Sequence, residues 1–254
     1  MSRTAPSLVV APSLVVGLGR FGASIAERLA TEAASGLRDP ERSAHQTEEW
    51  AEEVRRKGLD LVLSPRAEAP EALAERIAER ARIVLAHERL SRSRDAPGRD
   101  GPTRLHVLVL AHLGERDVRT RLAAVLAATE RLLLRRFGPI FEGFRSGDRR
   151  RLVVLPLLAM PHPGADERGG EISETVRNLT AQVVATPVRD RAVPQVFVIE
   201  DVAEFSVLSE PELAQCVRNF ATLLLYALPA VEDTQGLLYG RDATEPLATF
   251  ACSV

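Results

Sequence analysis

The chain has 254 residues, 45% of them hydrophobic, which is enough to build a substantial core, and we expect a single α/β domain spanning 1–254. Its formal net charge of -2, without a strongly basic stretch, argues against duplex nucleic acid and against an anionic membrane as partners. The two cysteines, Cys216 and Cys252, lie far apart and outside any metal-binding spacing, and prolines interrupt the apolar N-terminal run. We therefore expect a reduced, cytoplasmic protein without a signal peptide or a membrane helix.

Apolar strands and helices alternate along the chain. The hexapeptide APSLVV occurs twice near the N-terminus, and only the second copy adjoins a glycine turn. We therefore expect the first strand at 11–16 and a loose tail at 1–10. The other predicted strands cover 59–63, 105–111, 151–160 and 195–199. Beyond the helix that follows the glycine turn, the predicted helices cover 47–57, 70–90, 118–136, 172–184 and 210–228.

Two polar segments separate these elements. We expect a loop at 35–46 and an exposed linker at 91–104. The strands are almost continuously apolar, as strands are when both faces of a sheet are covered. The alternation therefore predicts a mostly parallel sheet with helices on both faces, a Rossmann-like fold.

The first strand runs into a glycine turn, Gly17-Leu18-Gly19-Arg20-Phe21-Gly22, and a helix follows. In this order the first glycine supplies a tight turn, the second lets a phosphate approach the backbone, and the third lets the helix pack closely on the strand. The free N–H groups and the dipole of the helix favour negative charge. The turn thus predicts a phosphate or nucleotide pocket formed by Gly17, Gly19, Arg20, Phe21 and Gly22. The alternative is a turn that serves only helix packing.

Other polar residues follow the predicted strands, whose carboxyl ends should share one edge of the sheet. Ser64 and Arg66 could accept the 2′-phosphate of NADP, or they could form an ordinary strand-end turn. Glu200 and Asp201 could hold a metal ion or orient water; equally, they could cap the next turn or pair with Arg20.

Two histidines, His112 and His162, also follow strands, but no metal-ligand spacing accompanies either. We expect structural or solvated side chains at both. The glycine-rich segment 164–170 could be a lid or a phosphate-facing loop, although such loops most often only connect elements.

Locally, the segment from Val15 to Leu29 resembles the opening of the potassium-uptake regulatory (RCK/TrkA-N) domains, which are Rossmann folds that bind NAD(H) or adenine nucleotides. Beyond it the pattern departs from that family. The second strand comes later, and Ser64-Pro65-Arg66 stands where those domains have an acidic residue.

Over a greater length the order of elements is similar to the nucleotide-binding domain of bacterial tubulin-like proteins, relatives of FtsZ and tubulin. The shared features are the glycine turn, an apolar strand ending near Pro161, the acidic strand end at 197–201, and the closing segment 249–254. The resemblance implies GTP or GDP as ligand, with Mg²⁺, and self-assembly or assembly with a protein partner that depends on nucleotide. It also implies that Gly114 belongs to a second phosphate loop.

That second loop departs from the family, because 112–118 contains a single glycine and two acids. Acids that face a triphosphate repel it unless a metal intervenes, so we expect a weak GTPase at most. The leading prediction is a degenerate tubulin-like nucleotide-binding protein that acts by assembly. The alternatives are a Rossmann ligand-sensing or NAD(P)-linked domain and an interaction scaffold that binds no ligand.

Overall fold

The computed structural model describes residues 13–35, 59–95, 105–141, 152–161, 169–185, 192–203, 206–227 and 247–251. Several sequence predictions lie outside these ranges. They include the N-terminal tail 1–10, the loop and helix predicted within 36–57, the remainder of the predicted linker at 96–104, the residue His162, most of the glycine-rich segment 164–170, and the closing residues 252–254.

The described strands are β1 (Ser13–Leu18), β2 (Leu59–Ser64), β3 (Leu105–His112), β4 (Leu152–Met160), β5 (Val196–Glu200), β6 (Val202–Ala203), β7 (Ser206–Val207) and β8 (Leu247–Ala251). A 6-stranded sheet has the order β2-β1-β3-β4-β5-β8, and every neighbouring pair in it is parallel. The short strands β6 and β7 pair with each other in antiparallel fashion. From β1 the chain winds first towards β2 and later from β3 towards β8, so the topological switch point lies between β1 and β3.

The described α-helices are α1 (Gly19–Ser35), α2 (Pro70–Asp95), α3 (Arg116–Phe137), α4 (Gly169–Ala185) and α5 (Glu210–Thr222). A 3₁₀ turn, Gly138–Ile140, follows α3, and a π-helical turn, Leu223–Ala227, follows α5. In the described part of the chain, no helix combines the length and the apolar character needed to span a membrane.

The helices cover both faces of the sheet, as predicted. Alternate residues of β1 point to opposite faces: Leu14 and Val16 belong to a core cluster with α2, α3 and α4, whereas Val15 belongs to a second cluster with α1 and α5. This two-layered burial accounts for strands that are apolar at successive positions. The predicted fold class, an α/β fold with a parallel sheet, is confirmed.

Helix α2 is longer than the sequence analysis predicted. It continues to Asp95, five residues into the segment 91–104 that was expected to be linker. The segment Ser91 to Asp95 contains neither glycine nor proline, and the first helix breaker is Pro97. The charged residues of this segment are typical of a loop, but no backbone feature ends the helix before Pro97.

Close packing of α1 on the sheet depends on glycine. A Cβ atom on Gly22 would lie 2.3 Å from the carbonyl oxygen of Leu110 in β3, and one on Gly17 would lie 2.6 Å from Cα of Ala23. Both contacts are with backbone atoms, which side-chain rotation cannot relieve. Helix α1 therefore rests directly on the switch-point strands, and its N-terminus is brought beside the end of β3.

Replacing Gly22 with alanine should lower the free energy of unfolding by about 1–3 kcal/mol, because the added methyl group overlaps the β3 backbone. Gly170 in α4 is the matched control, since a Cβ there meets nothing within 4 Å. Gly170→Ala should be neutral or stabilise the protein by up to about 1 kcal/mol. Urea unfolding of the two variants measures the difference, and equal stabilities would contradict this packing.

Candidate functional site

A cleft of about 580 Å³ opens at the carboxyl edge of the sheet, beside the switch point. It is bounded by the start of α1, the β3–α3 turn, the end of β4, and the first turns of α4 and α5. The cleft is lined by Arg20, Phe21, Ser24, His112, Gly114, Glu115, Pro161, Ile172 and Glu210. Three of these were predicted as site residues from the sequence: Arg20, Phe21 and Gly114. His112 was expected to be a structural or solvated histidine.

The start of α1 forms an anion site, which we define as the backbone N–H groups of Arg20 and Phe21. Gly19 has a φ of 71°, a left-handed conformation that favours glycine, and it turns the chain into the helix. Helix N-termini of this kind present unpaired N–H groups and a positive dipole end to an anion. The glycine turn thus has the local geometry on which the phosphate prediction depends.

The anion site holds a carboxylate of the protein itself. The N–H of Arg20 donates to Oε2 of Glu115 and the N–H of Phe21 donates to Oε1, each over 2.9 Å. A Cβ atom at Gly19 would lie 2.3 Å from Glu115 Oε2, so only glycine leaves room for this approach. The Glu115 carboxylate stands where the sequence analysis expected a phosphate.

Glu115 reaches this position from the other side of the switch point. It is the N-cap residue of α3, with φ -77° and ψ 111°, yet its side chain makes no capping bond to α3. N-cap side chains ordinarily bond the N–H groups of their own helix. Here the carboxylate accepts hydrogen bonds from the N-terminus of α1 instead. This contact joins the β1–α1 turn to the β3–α3 turn.

The β3–α3 turn that carries Glu115 is firmly held. The N–H of Leu113 donates to the carbonyl of Ala159 in β4 over 2.8 Å. The buried guanidinium of Arg119 donates to the Leu113 carbonyl over 2.7 Å and to the carboxylate of Glu171 over 2.6 Å. The position of the Glu115 backbone is therefore set by β4 and by α3, independently of its contact with α1.

His112 lies beside the anion site and packs against Phe21, with ring centroids 4.8 Å apart. The N–H of Gly114 donates to its Nδ1 over 3.1 Å, so the neutral ring carries its proton on Nε2. Burial lowers the pKa of His112 from its ordinary value of 6.5, against the opposing effect of Glu115, Glu210 and Asp201. At neutral pH the cleft thus contains an uncharged imidazole.

Ser64 and Arg66 do not line the cleft. Ser64 is 2% exposed, and its hydroxyl lies 3.2 Å from the Arg66 carbonyl and 3.3 Å from a carboxylate oxygen of Glu68. Arg121, which is 8% exposed, donates to the hydroxyl and to the carbonyl of Ser64, over 3.2 Å each. Ser64 therefore ties the end of β2 to α3, and the strand-end turn accounts for its contacts.

The pair Glu200 and Asp201 also lies outside the lining of the cleft. The N–H of Asp201 donates to the Met160 carbonyl over 3.0 Å, and its carbonyl accepts from Leu208 over 2.6 Å. The backbone of Asp201 thus forms the turn that leads to α5. Within the described ranges, no group of three or more His, Cys, Asp or Glu side chains is arranged to hold a metal ion.

Sequence reasoning missed four residues of the cleft: Ser24, Pro161 (noted only as the end of an apolar strand), Ile172 and Glu210. It noted the acids of the loop 112–118, but it did not place Glu115 at the glycine turn. That placement requires β3 to lie next to β1, and strand order cannot be read from the periodicity of one sequence. The sequence shows an acid, Glu115, shortly after an apolar strand, but no local pattern links that acid to the glycine turn.

His112 should make stability depend on pH below its ordinary pKa of 6.5. Above that pH the folded and unfolded states are both neutral at this residue. As the pH falls, the unfolded state binds a proton that the folded state, with its lowered pKa, does not, so the free energy of unfolding decreases. Between about pH 7.5 and pH 5.5 the wild type should lose more stability than His112→Asn, which keeps an oxygen acceptor for Gly114.

Urea unfolding at several pH values measures that difference, and an NMR titration of the His112 ring gives its pKa directly. A pKa at or above 6.5, or equal pH dependence in the two proteins, would contradict the assignment of a half-buried neutral imidazole.

No family model, curated protein or solved structure matches the chain. The resemblances to potassium-uptake regulatory domains and to tubulin-like proteins therefore stay predictions from the sequence.

Proposed function

We propose that this protein binds a phosphate-bearing ligand of the nucleotide class, with one phosphate group at the N–H groups of Arg20 and Phe21. One observation carries the proposal: these two N–H groups already hold an anionic group, the Glu115 carboxylate, over 2.9 Å each. Two oxygens of a phosphate can accept from the same pair of donors. A helix N-terminus after a parallel strand is a recurrent site for such groups.

The cleft has a suitable size and lining for a ligand of this class. Its volume of about 580 Å³ falls within the range of small-molecule sites. Phe21, Pro161 and Ile172 supply apolar surface, and Arg20 supplies a positive charge near the anion site. Ser24 and the Nε2 proton of His112 add polar groups, which could fix the orientation of a sugar or a base.

We further propose, from the sequence resemblance, that the ligand is GTP or GDP and that the protein acts in the manner of tubulin-like proteins, by nucleotide-dependent assembly with itself or with a partner. Mg²⁺ commonly binds proteins through one or two carboxylates together with phosphate oxygens. Glu115 and Glu210, the acids that line the cleft, fit that pattern. The same acids disfavour a free triphosphate, which agrees with weak GTPase activity at most.

A second candidate function is an interaction scaffold that keeps the fold and has lost the ligand. The contact of Glu115 with the anion site favours it, because an internal carboxylate satisfies the N–H groups without any ligand. The third candidate, an NAD(P)-linked domain, depended on Ser64 and Arg66 facing the ligand. The contacts of Ser64 with Arg121 and Glu68 give it less support.

Arg20→Pro and Arg20→Ala together test whether the backbone donors bind the ligand. Proline removes the N–H of residue 20 and is tolerated in the first turn of a helix, whereas alanine removes the side chain and keeps the N–H. GTP, GDP, ATP, NAD and NADP, each with magnesium, should be compared by thermal shift on both variants and on the wild type. At one hundred times its Kd, a ligand should stabilise the wild type by about 2.7 kcal/mol.

We expect stabilisation by a guanine nucleotide in the wild type and in Arg20→Ala, and at least about tenfold weaker binding in Arg20→Pro. Sedimentation of the same samples tests assembly, which should increase with the nucleotide that stabilises the protein. Stabilisation by NAD or NADP alone would favour the third candidate. If no nucleotide stabilises the wild type, the nucleotide proposal fails and the scaffold is favoured.

A further inference from the structure

We infer that Glu115 is the specificity-determining residue of the cleft: it is an internal competitor that a ligand must displace, and it discriminates against ligands with several phosphate charges. This inference rests on the proposed function and concerns the same site. Each of the two N–H groups of the anion site donates one hydrogen bond, and the two oxygens of Glu115 accept them. A phosphate cannot bind those donors while the carboxylate stays.

Glu115 can leave the anion site by rotation of its side chain alone. The backbone of its turn is held elsewhere, through the bond of Leu113 to Ala159 and through the contacts of Arg119 with Leu113 and Glu171. The N–H of Glu115 is also bonded, to the carbonyl of His112 over 3.1 Å. None of these bonds involves the Glu115 carboxylate, so displacement opens the site without unfolding the β3–α3 turn.

The displaced carboxylate stays tethered near the cleft. Its backbone is fixed beside Gly114 and His112, so the side chain can move only by its own length. Glu210 adds a second carboxylate to the same lining. The repulsion between these acids and a ligand grows with each phosphate that the ligand carries. Without Mg²⁺ to neutralise phosphate charge, a ligand with one or two phosphate charges is therefore preferred, with Glu115 present, to one with four or five.

Removal of Glu115 should consequently raise the affinity for inorganic anions and should do so most for the most highly charged. The probes are inorganic phosphate, pyrophosphate and tripolyphosphate, titrated calorimetrically without magnesium. Glu115→Ala frees both N–H groups. Glu115→Gln is nearly isosteric and keeps one acceptor oxygen, but it places an amide donor against the second N–H.

The matched control is Asp117→Asn, which removes one negative charge two residues away on an exposed side chain outside the cleft lining. It separates a general charge effect from occupation of the anion site. All variants are first compared with the wild type by circular dichroism and urea unfolding, and Glu115→Gln keeps the test valid if Glu115→Ala is poorly folded.

We expect pyrophosphate to bind Glu115→Ala about 10- to 100-fold more tightly than it binds the wild type, with a larger gain for tripolyphosphate and a smaller one for phosphate. Glu115→Gln should be intermediate, and Asp117→Asn should stay within about threefold of the wild type. If the wild type binds these anions and Glu115→Ala binds them equally or more weakly, the inference is overturned while the proposed function stands. If no anion binds any variant, both fail.

Discussion

The contact of the Glu115 carboxylate with the N–H groups of Arg20 and Phe21 is the interaction on which the candidate site depends. It satisfies the two donors at the start of α1, and it joins the turns on either side of the switch point. Bonds to a charged acceptor are each worth about 1.5–3 kcal/mol when shielded, and less here because the site is partly exposed. A contact with this free energy is strong enough to order the site without a ligand. It is also weak enough for a phosphate to replace the carboxylate at the two N–H groups.

The geometry of this contact follows from close packing at glycine. Because Gly22 has no side chain, α1 approaches the β3 backbone, and its first turn comes to lie beside the turn that follows β3. Gly19 then provides both the left-handed conformation and the space that Glu115 Oε2 requires. The glycines of the turn thus serve both the packing of α1 on the sheet and the contact with the Glu115 carboxylate.

Local patterns in the sequence were sufficient to predict five of the six strands of the described parallel sheet, whereas β6, β7 and β8 were not among the predicted strands. Apolar runs predicted β1 to β5 to within a residue or two, and helical periodicity predicted α1 to α5, although the polar end of α2 was read as linker. Contacts between distant segments were harder to predict. Ser64 is bound by Arg121, and Glu115 by the start of α1, through neighbours that only the three-dimensional order of strands brings together. An acid at the end of one strand and a glycine turn at the end of another carry no signal that the two strands are adjacent.

Hydrogen exchange of the backbone amides of Arg20 and Phe21 tests the central contact most directly, since Glu115 is the acceptor for both. NMR should show both amides protected in the wild type and in Asp117→Asn, and unprotected in Glu115→Ala. Adding pyrophosphate to Glu115→Ala should restore the protection, because the phosphate then accepts the same two hydrogen bonds. Equal exchange of these amides in the wild type and in Glu115→Ala would contradict the account, because Glu115 would then not occupy the anion site.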